Sequence, residues 1–296
     1  MNVAVIGAGK WGQALYHAFS IKNDCVITSR TKRNLPNFVD LKTALDCDLL
    51  VFTIATQAIN LWLKENFIYK NQKILVASKG IEANSGKFLD EIFESYAQKS
   101  NLSYLSGPSF ATEVMQNLPC AVVVNSFNIN LANFICGLFP DFIKAYPSDD
   151  VKGAEICGAY KNVLAIACGI SDGLELGNNA RASLMARGLV EMQRFGKFFG
   201  AKDDSFLGLS GAGDLFLTAS SSLSRNYRVG QGIAKGKKID LILQELGEVA
   251  EGILTSKAIV KIATKNKIYT PIATQVELLI NGKDPKLSMK DLLKKV

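Results

Sequence analysis

A glycine-rich turn between a strand and a helix constrains this chain more than any other feature of its sequence. Residues 2–6 (NVAVI) form a short apolar run that predicts a buried strand, and residues 13–20 continue in a helical pattern. The turn between them, GAGKWG at 7–12, has the spacing GxGxxG. Because it follows a strand and opens a helix, this spacing favours a dinucleotide-binding fold over a glycine-rich turn of another α/β protein.

Each glycine of this turn has a physical task in such a site. Gly7 permits the tight turn, Gly9 lets the backbone approach a pyrophosphate, and Gly12 lets the helix pack close to the strand. The pyrophosphate then rests on N–H groups at the start of the helix. The sequence therefore predicts that NAD or NADP binds here.

The loop after the second strand bears on which dinucleotide binds. That strand is predicted at residues 25–29, and an NAD-selective site would place an acidic residue beyond it to bind the ribose. This chain has SRTKR at 29–33 instead. Arg30 and Arg33 can contact a 2′-phosphate, which favours NADP competence over a plain solvated loop.

Strand-like runs recur along the first half of the chain, and helical or polar segments separate the earlier ones. This alternation predicts an α/β fold with a mostly parallel, doubly wound sheet and helices on both faces. Ligands of such sheets bind beyond the carboxyl ends of the strands, so we expect Lys79, Gly107 and Ser109 to lie in ligand loops. The further runs lie at 49–54, 73–78, 103–106 and 121–125.

The strand signal fades after Tyr146-Pro147, and the patterns that follow are mostly helical. We therefore expect two domains, a dinucleotide-binding Rossmann domain at 1–147 and a helical domain at 148–296. Asp149 or Asp150 is expected to cap the first long helix of the second domain.

Two isolated charges stand out in the predicted helical domain. Lys161 is the only charged residue in 156–171, a helical run apolar enough to be buried, and Asp214 is the only ionisable residue in 205–224. A buried charge is costly unless it is paired, so we expect these two side chains to meet. The alternatives are a lysine that extends along its helix to water, and an ion pair with a purely structural role.

Two further features bear on chemistry. Ser224-Arg225-Asn226 places an arginine between two hydrogen-bonding side chains, which suits bidentate recognition of a phosphate, although a surface turn can have the same composition. The only histidine, His17, follows the glycine turn, where we expect a helix-surface residue remote from the nicotinamide. A nicotinamide enzyme needs a proton carrier, and this placement leaves lysine for that task.

Composition and charge exclude several classes of function. The six cysteines occur singly, which disfavours zinc or iron–sulfur ligation and favours reduced thiols in the cytoplasm, so we expect no metal. The apolar runs are too short to span a bilayer, and we expect neither a signal peptide nor membrane insertion. The net charge of +7 has no accompanying nucleic-acid motif, so it favours small anionic substrates over nucleic acid.

Several longer motifs occur in the order of one known enzyme family. They are GAGKWG at 7–12, SKGIE at 78–82, SGPSFATEV at 106–114, GAYKNVLAIACGISDGLELGNNARASL at 158–184, SGAGDL at 210–215, SRN at 224–226 and VAEG at 249–252. Through them the chain resembles the bacterial-type NAD(P)-dependent sn-glycerol-3-phosphate dehydrogenases over nearly its whole length. The resemblance implies a Rossmann domain followed by a helical domain akin to that of 6-phosphogluconate dehydrogenase. It also implies reduction of dihydroxyacetone phosphate to supply glycerol 3-phosphate for phospholipids, and a homodimer is compatible with it.

The resemblance also implies roles for individual residues. We expect Lys161 to donate a proton to the substrate, Asp214 to orient it, and Lys79 to polarise the substrate from the other side. The family's substrate-binding positions fall on Lys79, Gly107, Ser109, Lys161, Asp214, Ser224, Arg225 and Asn226. Its cofactor positions, with those of the glycine turn, fall on Gly7, Gly9, Lys10, Trp11, Gly12, Arg30, Arg33, Lys79, Ala111, Arg225, Val249 and Glu251.

The chain departs from the family at one loop and in the compact region after the second strand, and two rival functions stay open. Ile54-Ala55-Thr56 stands where the family usually has Val-Pro-Ser, which changes the expected loop shape but not the chemistry. One rival is another enzyme on this scaffold, such as a hydroxyacid or 6-phosphogluconate dehydrogenase. The other is a non-catalytic dinucleotide sensor, which the expected pair of isolated charges disfavours.

Overall fold

A computed structural model describes residues 1–247 and 249–293. The chain divides into two compact units, one formed by Met1–Lys79 with Phe88–Glu155 and the other by Gly80–Lys87 with the residues from Ile156 onward. The division thus falls after Glu155 rather than near residue 147, because Val151, in the first turn of the long helix, belongs to the core of the first unit. Among the described residues, no helix has the length and apolar character that a bilayer crossing requires.

The first unit is built on a seven-stranded sheet in the order β2-β1-β3-β4-β5-β6-β7. Neighbouring strands are parallel except β5 and β6, which confirms the predicted mostly parallel sheet. The strands are β1 Asn2–Ile6, β2 Asp24–Thr28, β3 Leu49–Phe52, β4 Lys73–Val76, β5 Leu102–Ser106, β6 Cys120–Asn125 and β7 Ile143–Ser148.

The sequence did not predict β7, and its position in the sheet explains why. It is an edge strand in which Ile143 is buried while Tyr146 and Pro147 are exposed. It therefore lacks the apolar run that marks the inner strands. Proline cannot donate a ladder hydrogen bond and is tolerated at a sheet edge.

Helices cover both faces of the sheet and form a core on each. Phe19 of α1 lies in one core, and Phe52 of β3 lies in the other with Ile59 and Leu63 of α3. The helices of this unit are α1 Lys10–Ser20, α2 Leu41–Leu45, α3 Thr56–Asn66, α4 Leu89–Phe93, α5 Ala111–Met115 and α6 Ile129–Cys136, with a 3₁₀ turn at Lys99–Asn101.

The second unit is helical and is organised around α7. Every residue from 153 to 171 is buried, so this helix is surrounded by protein on all sides, as its apolar composition predicts. Asp150 caps it by accepting a hydrogen bond from Gly153 N at 3.0 Å. The helices are α7 Val151–Gly173, α8 Gly177–Phe198, α9 Asp203–Leu207, α10 Asp214–Ala219, α11 Arg225–Ala234, α12 Ile239–Leu246, α13 Glu251–Asn266, α14 Pro271–Ile280 and α15 Pro285–Leu293.

A buried carboxylate fixes α14 within this unit. Glu191 of α8 accepts hydrogen bonds from the first backbone N–H groups of α14, from Ile272 at 2.8 Å and Ala273 at 2.9 Å. It also accepts one from the Tyr160 hydroxyl of α7 at 2.8 Å. One side chain therefore joins three helices, and it supplies partners to N–H groups that a helix start leaves unsatisfied. Burial, opposed by these bonds, raises the pKa of Glu191.

A second buried carboxyl lies in the first unit, at the start of α7. Glu155 Oε1 accepts a hydrogen bond from Asp90 N at 2.8 Å, and Lys152 Nζ donates one to Asp90 Oδ1 at 2.7 Å. Burial, with the nearby charge of Asp90 as the second cause, raises the pKa of Glu155 well above 4.5.

The raised pKa of Glu155 predicts a pH-dependent stability. A carboxyl with a raised pKa holds its proton more tightly in the folded state than in the unfolded chain. The free energy of unfolding should therefore fall as the pH rises above about 4.5, and Glu155→Gln, which cannot ionise, should flatten this dependence. Urea denaturation at several pH values measures it. Glu65→Gln, at an exposed position of α3, should keep the wild-type dependence. Equal pH slopes for wild type and Glu155→Gln would contradict the prediction.

Candidate active site

The glycine turn has the close packing that its spacing predicts. A Cβ added to Gly12 would lie 1.9 Å from the carbonyl oxygen of Gly7, so only glycine lets α1 start this close to β1. Gly7 itself has a φ of +118°, which L side chains rarely adopt. A Cβ on Gly9 would meet no atom within 4 Å. The turn and the first N–H groups of α1 therefore fit a dinucleotide pyrophosphate.

Trp11 ties this turn to the middle of the sheet. Its indole Nε1 donates a hydrogen bond at 3.1 Å to the carbonyl oxygen of Ala77, just beyond β4. The ring is partly buried, whereas Lys10 is exposed. The indole has thus a structural partner, and its contact with the cofactor stays a prediction.

The loop with Arg30 and Arg33 and the loop with Lys79 both lie at the carboxyl ends of the strands, but at separate points across the sheet. Arg30 and Arg33 are exposed after β2, which is an edge strand, and Lys79 follows β4, three strands away. Neighbouring strands are about 4.8 Å apart, so the two loops are separated by roughly 14 Å across the strands. An extended dinucleotide suits this separation.

The two predicted ligand loops beyond β4 and β5 come together. Lys79 Nζ donates a hydrogen bond at 3.4 Å to the carbonyl oxygen of Gly107, and Ser109 Oγ donates to the same oxygen at 3.3 Å. Thr56 Oγ1 donates to the carbonyl oxygen of Lys79 at 2.9 Å, so the loop that departs from the family supports the lysine. Ala111, the first residue of α5, follows directly.

The two isolated charges of the second unit meet, as predicted. Lys161 Nζ of α7 donates a hydrogen bond at 2.5 Å to Asp214 Oδ1, at the start of α10. The side chains are 10% and 2% exposed, respectively. Lys161 therefore does not extend to water along its helix. A π-helical turn, Leu209–Gly213, leads into α10.

Thr218 joins this pair and was not predicted. Its Oγ1 accepts a hydrogen bond from Lys161 Nζ at 3.1 Å and donates one to Asp214 Oδ1 at 3.3 Å. It lies four residues after Asp214 on α10, so both side chains are on one face of that helix. This spacing was the available signal, and it becomes informative only once α10 is known to be helical.

The Ser-Arg-Asn triplet forms the start of α11. Ser224 caps the helix by accepting a hydrogen bond from Tyr227 N at 3.2 Å. Asn226 is buried, and its Oδ1 accepts a hydrogen bond from Gly252 N at 3.0 Å in the first turn of α13. Arg225 is exposed. Two members of the triplet therefore build the helix start that presents the third.

The remaining predicted residues are placed as follows. Glu251 is the first residue of α13, and Val249, two residues earlier, is exposed. His17 lies half-buried on α1, where Nε2 shares a hydrogen bond of 2.8 Å with Asn117 Oδ1. Within residues 1–247 and 249–293, His, Cys, Asp and Glu side chains form no group of three that could hold a metal ion.

The family models and the curated relatives that match this chain give the same family. Models described as the N-terminus and the C-terminus of NAD-dependent glycerol-3-phosphate dehydrogenase match residues 28–132 and 150–290. A glycerol-3-phosphate dehydrogenase (NAD(P)+) of Campylobacter jejuni subsp. doylei is 59% identical over 294 residues, 99% of each chain. One from Sulfurimonas denitrificans is 59% identical over 293 residues, again 99% of each. The crystal structure of a Coxiella burnetii glycerol-3-phosphate dehydrogenase matches with a TM-score of 0.90 and 32% identity over 99% of each chain.

The burial of the Lys161–Asp214 pair predicts a strong energetic coupling. Lys161→Met takes the ammonium away from a buried carboxylate and should lower the free energy of unfolding by about 3–5 kcal/mol. The double variant Lys161→Met/Asp214→Leu should be more stable than Lys161→Met alone, because it also removes the buried carboxylate. Urea denaturation of the four members of the double-mutant cycle measures the coupling.

A surface pair supplies the control for this cycle. Lys197 and Asp203 form an ion pair at 3.0 Å with side chains 54% and 57% exposed. Lys197→Met should change the free energy of unfolding by less than about 1 kcal/mol. An equally small change for Lys161→Met would show that the buried pair is not coupled.

Proposed function

The chain belongs to the NAD-dependent glycerol-3-phosphate dehydrogenase family, and we propose that it works as a reductase of dihydroxyacetone phosphate with Lys161 as the proton donor. As a member it is an NAD(P)-dependent glycerol-3-phosphate dehydrogenase. The observation that carries the proposed mechanism is the 2.5 Å contact between the buried Lys161 ammonium and the Asp214 carboxylate. The proposed product is sn-glycerol 3-phosphate.

The residues present suit the cofactor that the family uses. The turn at Gly7 and Gly12 and the start of α1 would hold the pyrophosphate, and Arg30 with Arg33 would contact the 2′-phosphate of NADP. When bound, the reduced nicotinamide supplies a hydride to the carbonyl carbon of the substrate. We assign Lys79 to the substrate, since its ammonium lies beyond β4, where ligands of parallel sheets bind.

Lys161 has the surroundings that a proton donor requires. A carboxylate at 2.5 Å stabilises the ammonium form, which is the form that can donate. Asp214 and Thr218 each accept one N–H of the ammonium, so the orientation of Nζ is fixed before the substrate arrives. The ammonium then gives a proton to the substrate oxygen as negative charge develops there.

The start of α11 has the groups that a phosphate requires. Backbone N–H groups at a helix start favour an anion, and the exposed Arg225 at the first position adds a guanidinium that can bind bidentately. Asn226 Oδ1 accepts from Gly252 N, so its amide nitrogen is the group that would donate to a phosphate oxygen. We therefore place the substrate phosphate at Arg225 and Asn226.

We further propose that the product supplies glycerophospholipid synthesis and that the enzyme works in the cytoplasm. All six cysteines are free thiols, and this supports a reducing compartment. A homodimer is compatible with this proposal.

Lys161→Ala tests the catalytic assignment. Loss of a positioned proton donor should lower kcat by roughly 10²–10⁴-fold. The reduction of dihydroxyacetone phosphate, followed by the absorbance of NADH or NADPH, measures it, and circular dichroism confirms that the variant is folded. Lys197→Ala is the matched control, because its lysine also pairs with an aspartate but lies on the surface. A folded Lys161→Ala enzyme with wild-type kcat would remove Lys161 from the mechanism.

Arg225→Ala tests the phosphate assignment. Loss of a charged hydrogen bond should weaken binding of glycerol 3-phosphate by about 1.5–3 kcal/mol, measured by titration calorimetry. Arg225→Lys keeps the charge but not the fork of donors, and it should bind with intermediate affinity. Wild-type affinity in Arg225→Ala would place the phosphate elsewhere.

A further inference from the structure

A contact between α7 and α11 lies outside the proposed chemistry, and we propose that Asp172 and Tyr227 are positioning residues that set the place of Arg225 for the substrate phosphate. The proposal rests on the proposed function, which assigns the phosphate to the start of α11. Tyr227 lies two residues after Arg225, and its hydroxyl donates a hydrogen bond at 2.6 Å to Asp172 Oδ2. The first turn of α11 thus carries both Arg225, which we propose binds the phosphate, and Tyr227. We call the hydrogen bond from Tyr227 to Asp172 the tether.

The tether reaches the helix that carries the proposed proton donor. Asp172 lies eleven residues after Lys161 on α7, which is close to three full turns, so both side chains point to one side of the helix. The rise between them is about 16 Å. The one buried helix α7 therefore carries both Lys161, the proposed proton donor, and Asp172, which accepts the hydrogen bond of Tyr227.

The backbones of α7 and α11 touch where the tether is attached. A Cβ added to Gly169 would lie 2.1 Å from the carbonyl oxygen of Tyr227, and one added to Gly230 would lie 2.1 Å from that of Ile166. A contact between two backbones without side chains fixes the separation of the helices. It limits the rotation of α11 about its own axis less than it limits the separation of the two helices. The bond from Tyr227 to Asp172 constrains this rotation, beside the bond between Asn226 and Gly252, and it therefore helps to set the direction of Arg225.

Arg181 completes the tether from α8. Its Nη1 donates to Asp172 Oδ2 at 3.1 Å, and its Nη2 donates to Asn178 Oδ1 at 3.3 Å. The guanidinium holds the carboxylate in place and balances its charge. Burial and the bond to Asp172 raise the pKa of Tyr227 to about 12, so the phenol stays a donor at any pH where the enzyme would be assayed.

Tyr227→Phe keeps the ring and removes only the tether, and a substrate without the phosphate separates positioning from folding. In the full-length enzyme, kcat/KM for dihydroxyacetone phosphate should fall roughly tenfold, because a displaced Arg225 would bind the substrate phosphate less well. The value for dihydroxyacetone, which has no phosphate to position, should stay within about twofold of wild type. The Kd of glycerol 3-phosphate, from titration calorimetry, should rise by a similar factor as kcat/KM for dihydroxyacetone phosphate falls.

Matched variants distinguish this role from a structural one. Tyr160→Phe also removes a buried hydrogen bond to a carboxylate, and it should leave the ratio of the two kcat/KM values unchanged. Asp172→Asn, which can still accept from Tyr227, should retain more of the wild-type ratio than Asp172→Ala. A Tyr227→Phe enzyme that keeps the wild-type ratio, whether or not its Tm falls, would overturn the positioning role.

Arg225→Ala separates failure of this inference from failure of the proposed function. The ratio is that of kcat/KM for dihydroxyacetone phosphate to kcat/KM for dihydroxyacetone. If Arg225→Ala lowers this ratio and Tyr227→Phe does not, the phosphate site stands and the tether is rejected. If Arg225→Ala itself keeps the ratio, the phosphate does not lie at the start of α11, and the proposed function fails at that point together with the tether.

Discussion

The second unit depends on one buried contact between an ammonium and a carboxylate. Lys161 and Asp214 lie on helices that are otherwise apolar at this level, and an unpaired charge there would cost several kcal/mol. Each residue is therefore compatible with the fold only because the other is present. The pair requires α7 and α10 to meet at one register, and Thr218 adds a hydroxyl at the same point. A protein that needed only stability would gain as much from apolar side chains here, so the retained charges favour a chemical role.

Much of the fold could be predicted, because its signals are local. The contact between Gly12 and Gly7 lies within one strand, one turn and one helix, so the spacing of the glycines was sufficient to predict it. The inner strands are buried on both faces and read as apolar runs. β7 was missed because an edge strand with Pro147 needs no such run. The compact units divide after Glu155 rather than near residue 147, and the first turn of α7 looks like the rest of the helix in sequence.

The candidate site was predicted only where a residue was conspicuous in its surroundings. Lys161 and Asp214 stood out as isolated charges in apolar segments. Thr218 is one hydroxyl in a stretch with several, and only the geometry of α10 shows which one faces the pair. Glu191 lies in a charged, amphipathic helix, where nothing in the sequence marks it as buried. Its partners are backbone groups of α14, and the sequence does not show which backbone groups are unsatisfied.

The eight residues Gly80–Lys87 separate two stretches of the first unit and pack with the second. Lys261 of α13 donates a hydrogen bond to the carbonyl oxygen of Asn84, and Gly86 lies against Ile262. The polypeptide therefore passes from one unit to the other three times, after Lys79, after Lys87 and after Glu155. A chimaera that exchanged the nucleotide-binding half for that of a relative would need three junctions. A fragment that ended at Glu155 would contain Gly80–Lys87 without α13, the helix on which these residues pack.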